Sequence, residues 1–268
     1  MTLDDLLGAR PVVTYDEIVA YLRECGSENA RTQESLVRYH VHRGRLLRVR
    51  RGLYAAVPPG TEPETCPVDP YLLAARMTED AVIAYATALA FHGRLHSVSE
   101  RYTYLTKTSP RAFTFRNHCF QPVRFPKALR KAKRENFGTR AYERSGLSVR
   151  VSTLERTLVD VLDRPDLSGS WEEIWRSLES VEFFDLDVVV QYALLLANAT
   201  TIAKVGYFLD RHREPLMVEE NHLNRLKRHR PKQPHYMDRN DPAEGRLECE
   251  WNLIVPTYVA QRAWGEVR

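Results

Sequence analysis

The spacing of apolar residues near the N-terminus predicts an amphipathic helix and, before it, a shorter one. Apolar side chains recur at positions i, i+3, i+4 and i+7 from Tyr15 to Leu22, which is the period of one helix face. Thr14 and Glu17 have the spacing of a capping box at the start of that helix. The shorter helix is predicted over residues 3–7. Each helix can bury one face and leave the other in water.

The next helix is predicted to begin at Asn29 or Thr32 and to end at Gly44. At about 100° per residue, its weakly polar and apolar positions share one arc. They are Leu36, Val37, His40, Val41 and Gly44. The opposite arc holds Arg31, Ser35, Arg38, Tyr39, His42 and Arg45. We therefore expect one face to pack on a small core and the other to present guanidinium, hydroxyl and imidazole groups.

Two short strands are predicted after this helix, at 46–49 and 53–55, and Gly52 supplies the flexible backbone for the turn between them. Three helices followed by a hairpin are the layout of a winged helix-turn-helix. In that motif the last helix enters a major groove and the hairpin lies along the phosphates.

The charge of this region favours a polyanionic partner. Residues 31–51 contain seven arginines, one acid and no lysine, and arginine presents a planar fork that fits phosphate or guanine. We predict base contacts from Arg31, Thr32, Ser35, Arg38, Tyr39 and His42. We predict phosphate contacts from Arg45, Arg48, Arg50 and Arg51. The alternative is a solvated basic face that binds no ligand.

The whole chain predicts an α+β fold, with the winged helix-turn-helix followed by a larger mixed α/β C-terminal domain. Four prolines between residues 57 and 67 indicate a break in the packing. We therefore divide the chain into a DNA-binding domain at 1–57, a linker at 58–67 and a C-terminal domain at 68–268.

Apolar patterning in the C-terminal domain predicts both helices and strands. Helices are predicted at 69–77, 81–91, 154–162, 171–178, 186–196 and 202–209, and strands at 101–106, 113–115, 118–125 and 147–151. The tail from Glu214 is polar and proline-spaced. Its apolar segment at 251–256 is predicted to dock on the domain.

The composition is that of a soluble globular protein, with 43% hydrophobic and 28% charged residues. The four cysteines are scattered, so neither a disulfide framework nor a zinc site is predicted. Since His92 and His96 have no acidic residue nearby, we predict no metal site and no cofactor. The chain has no apolar run of membrane length and no signal-peptide pattern at its start, so a cytoplasmic protein is expected.

A second basic stretch spans residues 107–144, with eleven lysines and arginines against two glutamates. Its densest part supplies a candidate antitoxin surface or second polyanion surface, formed by Lys127, Arg130, Lys131, Lys133 and Arg134. One alternative is that this stretch extends the contact with the same DNA, and another is that it is a solvated basic loop.

The sequence contains none of the common phosphate-binding, nucleophile-elbow or metalloprotease motifs. Arg156 and Asp160 are four residues apart and so share one face of a predicted helix. We interpret them as a structural pair that holds this helix in place. The protein is therefore predicted not to be an enzyme.

Several blocks of the chain resemble proteins of the AbiEi family. They are RGRLLRVRRGLYA at 43–55, AYATALAFHG at 84–93, STLERTLVDVLDRP at 152–165, SGSWEEIWRSL at 168–178, VGYFLD at 205–210 and WNLIVP at 251–256. The block at 152–165 is the most specific of them. The turn at 168–170 departs from the family, which often has two adjacent glycines there, whereas this chain has one.

AbiEi proteins are the antitoxins of AbiE-type (type IV) toxin–antitoxin systems, which act in bacterial phage defence. The resemblance implies a repressor that binds inverted repeats in the double-stranded operator DNA of its own operon. It also implies that the C-terminal domain counteracts a cognate nucleotidyltransferase toxin, in many cases without a stable complex. Two alternatives stay open: a plain winged-helix regulator with a ligand-sensing C-terminal domain, and an antitoxin that modifies its toxin covalently.

Overall fold

The computed structural model of the chain describes residues 3–238 and 244–262, which form a mixed α and β fold with three sheets. This confirms the predicted α+β class. In the same residues, no helix combines the length and apolar character that a membrane span requires.

The N-terminal part contains three helices and a three-stranded sheet. Its elements are α1 (Leu3–Ala9), β1 (Val12–Thr14), α2 (Tyr15–Glu24), α3 (Ala30–His42), β2 (Leu46–Arg50) and β3 (Leu53–Ala56). β3 lies between β1 and β2 and is antiparallel to both. The capping box is present, since the Thr14 amide donates to Glu17 Oε2 at 2.8 Å. β1 was not predicted.

Helix α3 has the two faces that the sequence pattern indicates. Of the two candidate caps the structure has Asn29, whose Oδ1 accepts the Arg31 amide at 2.9 Å. Val37 and His40 are buried as predicted. Gln33 is buried as well, a position that the periodicity missed, and its Nε2 donates to the Ser27 carbonyl at 2.6 Å.

A six-stranded sheet forms the centre of the molecule, with strand order β6-β7-β5-β4-β9-β8. The strands are β4 (Val82–Ile83), β5 (Arg101–Thr106), β6 (Phe113–Phe115), β7 (His118–Arg124), β8 (Thr139–Arg144) and β9 (Leu147–Ser152). The helices of this part are α4 (Pro70–Ala75), α5 (Ala86–Phe91) and α6 (Lys127–Ala132). β5 runs parallel to β7, and β4 runs parallel to β9. The strand β8, at one edge, was not predicted.

The prediction of one helix over 81–91 was wrong. Val82 and Ile83 form a strand between β5 and β9, and only Ala86–Phe91 is helical. The two elements meet at Tyr85, which has a φ of 58°, a value that bulky residues rarely adopt. A continuous apolar run fits a central strand and a buried helix equally well, so its period could not separate them.

The C-terminal part is helical with a small sheet. It comprises α7 (Leu154–Asp163), a 3₁₀ turn (Pro165–Leu167), α8 (Trp171–Glu179), α9 (Leu186–Leu196), α10 (Ala199–Arg211), α11 (Glu220–Lys227), β10 (His235–Tyr236), β11 (Gly245–Glu248), β12 (Leu253–Pro256) and α12 (Thr257–Gln261). The four helices predicted between residues 154 and 209 are confirmed. The predicted docking segment is confirmed too, since Trp251 is buried against α10 at Gly206.

The N-terminal sheet packs on the central sheet. Val49 and Leu53 of the hairpin belong to one buried cluster with Leu72 and Tyr104. The proline-rich segment also contacts the part of the chain after residue 67, which we call the body. There Arg116 donates hydrogen bonds to the carbonyl groups of Pro63 and Cys66. The segment predicted as a linker is therefore held at Pro63 and Cys66, while most of its other residues are exposed. The division into separate domains stays a prediction.

Candidate nucleic-acid interface

The six side chains predicted to contact bases all lie on the exposed side of α3: Arg31, Thr32, Ser35, Arg38, Tyr39 and His42. Tyr39 is 51% exposed, which is high for a large aromatic ring, and Arg43 lies over it at 5.5 Å from the ring centroid. Because Val37 and His40 fix the opposite face in the core, these polar groups point to solvent together. The helix thus presents a row of hydrogen-bonding groups on one side.

A groove of about 660 Å³ separates α3 from the hairpin and the start of α2. Arg38 of α3 and two arginines of the hairpin, Arg48 and Arg51, line it. Asp16 and Glu34 line it too. The structure therefore brings one predicted base-contacting residue and two predicted phosphate-contacting residues to a single surface, which also carries two carboxylates.

The Glu34 carboxylate forms an ion pair with Arg38, with 2.6 Å between Oε1 and Nη2. Both side chains are more than half exposed, at 56% for Glu34 and 77% for Arg38. Their spacing of four residues along α3 brings the two groups onto one helix face. Arg38 thus enters the groove with its guanidinium already oriented by a carboxylate.

Arg50 points in a different direction from the other arginines of the hairpin. Its Nη2 donates a hydrogen bond to the Met77 carbonyl, and its Nε is buried without a partner. The strand pairing shifts by one residue between Arg48 and Arg50. A shift of this kind breaks the two-residue period of a strand, so Arg48 is exposed while Arg50 contacts the body of the protein.

Arg45 follows the C-terminal end of α3 and forms an ion pair with Asp4 of α1. His40 is close to the same carboxylate, with 4.0 Å between His40 Nδ1 and Asp4 Oδ1. Burial lowers the pKa of His40 below its ordinary value, Asp4 opposes this shift, and Arg45 adds to it. This end of the helix therefore carries less free positive charge than the sequence alone indicates.

The second basic surface, defined by the five residues Lys127, Arg130, Lys131, Lys133 and Arg134, lies on and just after α6. Four of them are exposed. Arg130 is half-buried, and its Nε donates to the Phe125 carbonyl at 3.0 Å. Arg134 lies over the Phe137 ring at 4.7 Å. Two of the five side chains, Arg130 and Arg134, are therefore held by contacts within the protein.

The second basic surface is connected to the hairpin by a short series of contacts. Arg50 contacts Met77, and Thr78 donates to Thr106 at 3.2 Å between their hydroxyl oxygens. The neighbouring Lys107 lies 3.6 Å from Glu135, measured between Nζ and Oε1. The segment after α4 and the end of β5 therefore lie between the hairpin and the basic stretch.

The pair Arg156 and Asp160 lies in the core. Arg156 Nε donates to Asp160 Oδ2 at 3.2 Å, and the Tyr192 hydroxyl donates to Asp160 Oδ1 at 2.6 Å. Arg156 also donates to the carbonyl groups of Glu135 and Phe137. Neither charged side chain reaches solvent, so the pair ties α7 to α9 and to the loop after α6. Within residues 3–238 and 244–262, no three potential metal ligands come together.

No known family model and no curated protein matches this sequence. The fold is similar to that of a solved structure, the RV2827C protein from Mycobacterium tuberculosis, with a TM-score of 0.61. The match covers 98% of this chain and 93% of that one, with 20% sequence identity. At this identity the similarity establishes the mixed α+β fold alone, over nearly the whole chain.

Proposed function

We propose that this chain is a DNA-binding antitoxin of the AbiEi type, whose N-terminal part represses its own operon. The observation that carries the DNA-binding half is the groove in which Arg38 of α3 meets Arg48 and Arg51 of the hairpin. Such a combination suits a duplex, because phosphate contacts position a protein on DNA while contacts to base edges read the sequence.

The proposal assigns α1, α2, α3 and the β2–β3 hairpin to a winged helix-turn-helix. Two features support this assignment. One is the element order, and the other is the antiparallel sheet in which β1 pairs with β3 of the hairpin. α3 would enter the major groove and the hairpin would lie along the backbone. The exposed polar side of α3 then faces the bases, with Arg31, Thr32, Ser35, Arg38, Tyr39 and His42 as the contacting residues.

For phosphate contacts we propose Arg48 and Arg51, with Arg45 as a third after release from Asp4. Arg50 takes a different role, since its guanidinium is engaged with Met77. It would position the hairpin on the body. The second basic surface is linked to the hairpin through the contacts at Met77, Thr106 and Glu135, and we propose that a longer duplex follows it. A toxin-binding role for these five residues is the competing assignment.

Binding of duplex DNA as a function of salt tests the repressor role. The probe is a labelled fragment from the region upstream of the gene, against a scrambled duplex of equal length. If about six phosphates are neutralised, the logarithm of affinity should fall with the logarithm of salt concentration at a slope near −5. Absence of binding to either duplex at low salt would overturn the proposal.

The antitoxin half rests on the resemblance of residues 152–165 and the accompanying blocks. Its test is growth rescue when the neighbouring gene is expressed alone or together with this full chain. Because the N-terminal sheet shares a core with the body, a double substitution Arg38→Ala, Arg51→Ala separates the two roles better than truncation. Rescue by this variant would assign neutralisation to the body. Failure of the parent chain to rescue would remove the antitoxin role.

A further inference from the structure

Glu34 is the one acidic residue in the arginine-rich segment 31–51. It lies on the exposed side of α3 and lines the groove beside Arg38, Arg48 and Arg51. A carboxylate at this place repels the phosphates of any duplex that enters. Its ion pair with Arg38 is largely exposed, and exposed pairs of this kind add little to folding. The contribution of this ion pair to folding stability is therefore too small to explain an acidic residue at position 34.

We infer that Glu34 determines sequence specificity at this interface by reading a G·C base pair together with Arg38. The inference rests on the proposed function. Arg38 would donate two of its five N–H groups to guanine O6 and N7, and Glu34 would accept a hydrogen bond from the cytosine N4 amine. The 2.6 Å contact between them holds the two groups side by side, as the two bases of one pair require.

The same carboxylate acts against unmatched DNA. Where no cytosine amine faces it, Glu34 is desolvated next to acceptors and phosphates, and binding weakens. Discrimination then has two sources: a hydrogen bond gained on the matched sequence and a repulsion on all others. Glu34 would thus raise specificity while lowering affinity for DNA in general.

The test is the substitution Glu34→Gln in the full chain, which keeps the side-chain length and removes the charge. The matched control is Asp16→Asn, because Asp16 lines the same groove with a carboxylate and forms no ion pair with Arg38 in this structure. Affinities are measured for a duplex selected by the parent protein and for a scrambled duplex. Thermal unfolding of each variant checks that the fold is intact.

We expect Glu34→Gln to bind the scrambled duplex more tightly than the parent and the selected duplex no better. The ratio of the two affinities should fall by about fivefold or more, the lower end for one specific base contact. Asp16→Asn should raise both affinities together and leave the ratio unchanged. Selection with Glu34→Gln should also show a weaker preference for G·C at one position, where Arg38 still contacts the guanine.

A ratio that Glu34→Gln leaves at the parental value, with both affinities raised as in Asp16→Asn, would overturn the role of Glu34 while the proposed function stands. A parent protein that binds no duplex, or binds all duplexes alike, would overturn the proposed function and the role of Glu34 with it.

Discussion

Arg50 of β2 donates a hydrogen bond from Nη2 to the main-chain carbonyl of Met77, which follows α4. A second contact joins the N-terminal part to the same segment after α4. Arg76 Nη1 lies 2.5 Å from Glu17 Oε1, at the start of α2. The hairpin and α2 are thus both fastened to the segment after α4. DNA bound by the N-terminal part would therefore meet the body in one fixed orientation.

Arg50 and Arg51 should behave differently when each is replaced by alanine. Arg51→Ala should weaken all duplexes alike and reduce the magnitude of the salt slope by about 0.9, because one phosphate contact is lost. Arg50→Ala should leave the slope unchanged and lower the free energy of unfolding by about 1–3 kcal/mol, because a hydrogen bond from a charged group is removed. Affinity at several salt concentrations and urea unfolding measure the two effects. A reduced slope in Arg50→Ala would return Arg50 to the phosphate contacts.

Arg38→Ala should lower affinity for the selected duplex by about 1–3 kcal/mol and relax the preference at one base pair. The physical reason is loss of a bidentate contact to guanine. Sequence selection with the variant measures the preference. The matched control is Arg23→Ala, since Arg23 is exposed in the last turn of α2 and does not line the groove. An unchanged preference in Arg38→Ala would make Arg38 a phosphate contact.

Replacing Arg156 by methionine should destabilise the fold by about 3–5 kcal/mol, because Asp160 would be left buried without its cation. The double substitution Arg156→Met, Asp160→Leu should cost clearly less than the sum of the two single substitutions. Urea unfolding of the three variants measures this coupling. Additive effects would show that the two side chains do not depend on one another.

Gly206→Ala should destabilise the protein by about 1–3 kcal/mol, because a Cβ at this position would overlap the Trp251 ring. Gly8→Ala is the control, since Gly8 lies in α1 with open space around it. That variant should gain about 0.5–1 kcal/mol from the lower backbone entropy of alanine. Thermal unfolding followed by tryptophan fluorescence compares them. Equal effects at both sites would mean that the segment at 251–256 does not dock on α10.

Acidification should weaken the fold through His40. Burial lowers the pKa of His40 in the folded state, so below the ordinary value of about 6.5 the unfolded chain binds a proton that the folded chain does not. Stability is then complete above pH 6.5 and is lost as the pH falls from there towards the lowered pKa. Urea unfolding at pH 7.5 and 5.5 should show a smaller drop for His40→Gln than for the parent. His42→Gln controls for removing an imidazole from the same helix, and an equal drop in His40→Gln would contradict the prediction.

Local patterns in the sequence determined much of the N-terminal part. The capping box of α2, the buried face of α3 and the turn at Gly52 depend on neighbouring residues, and each was predicted from spacing. The sequence failed where a run of apolar residues has no period of its own. Val82 and Ile83 became a central strand because β5 and β9 lie on either side of them, and no residue near 82 in the sequence carries that information.

In the candidate interface, too, local sequence patterns determined some features and the tertiary structure determined others. The sequence by itself determined which side chains of α3 face solvent and that the hairpin is rich in arginine. Only the tertiary structure decided which arginines reach the groove, because the shift in pairing after Arg48 turns Arg50 towards Met77. An extra residue in a strand reverses the direction of every later side chain, and a pattern of alternating residues in the sequence does not show where this happens. The place of each charge therefore depends on pairing across the sheet.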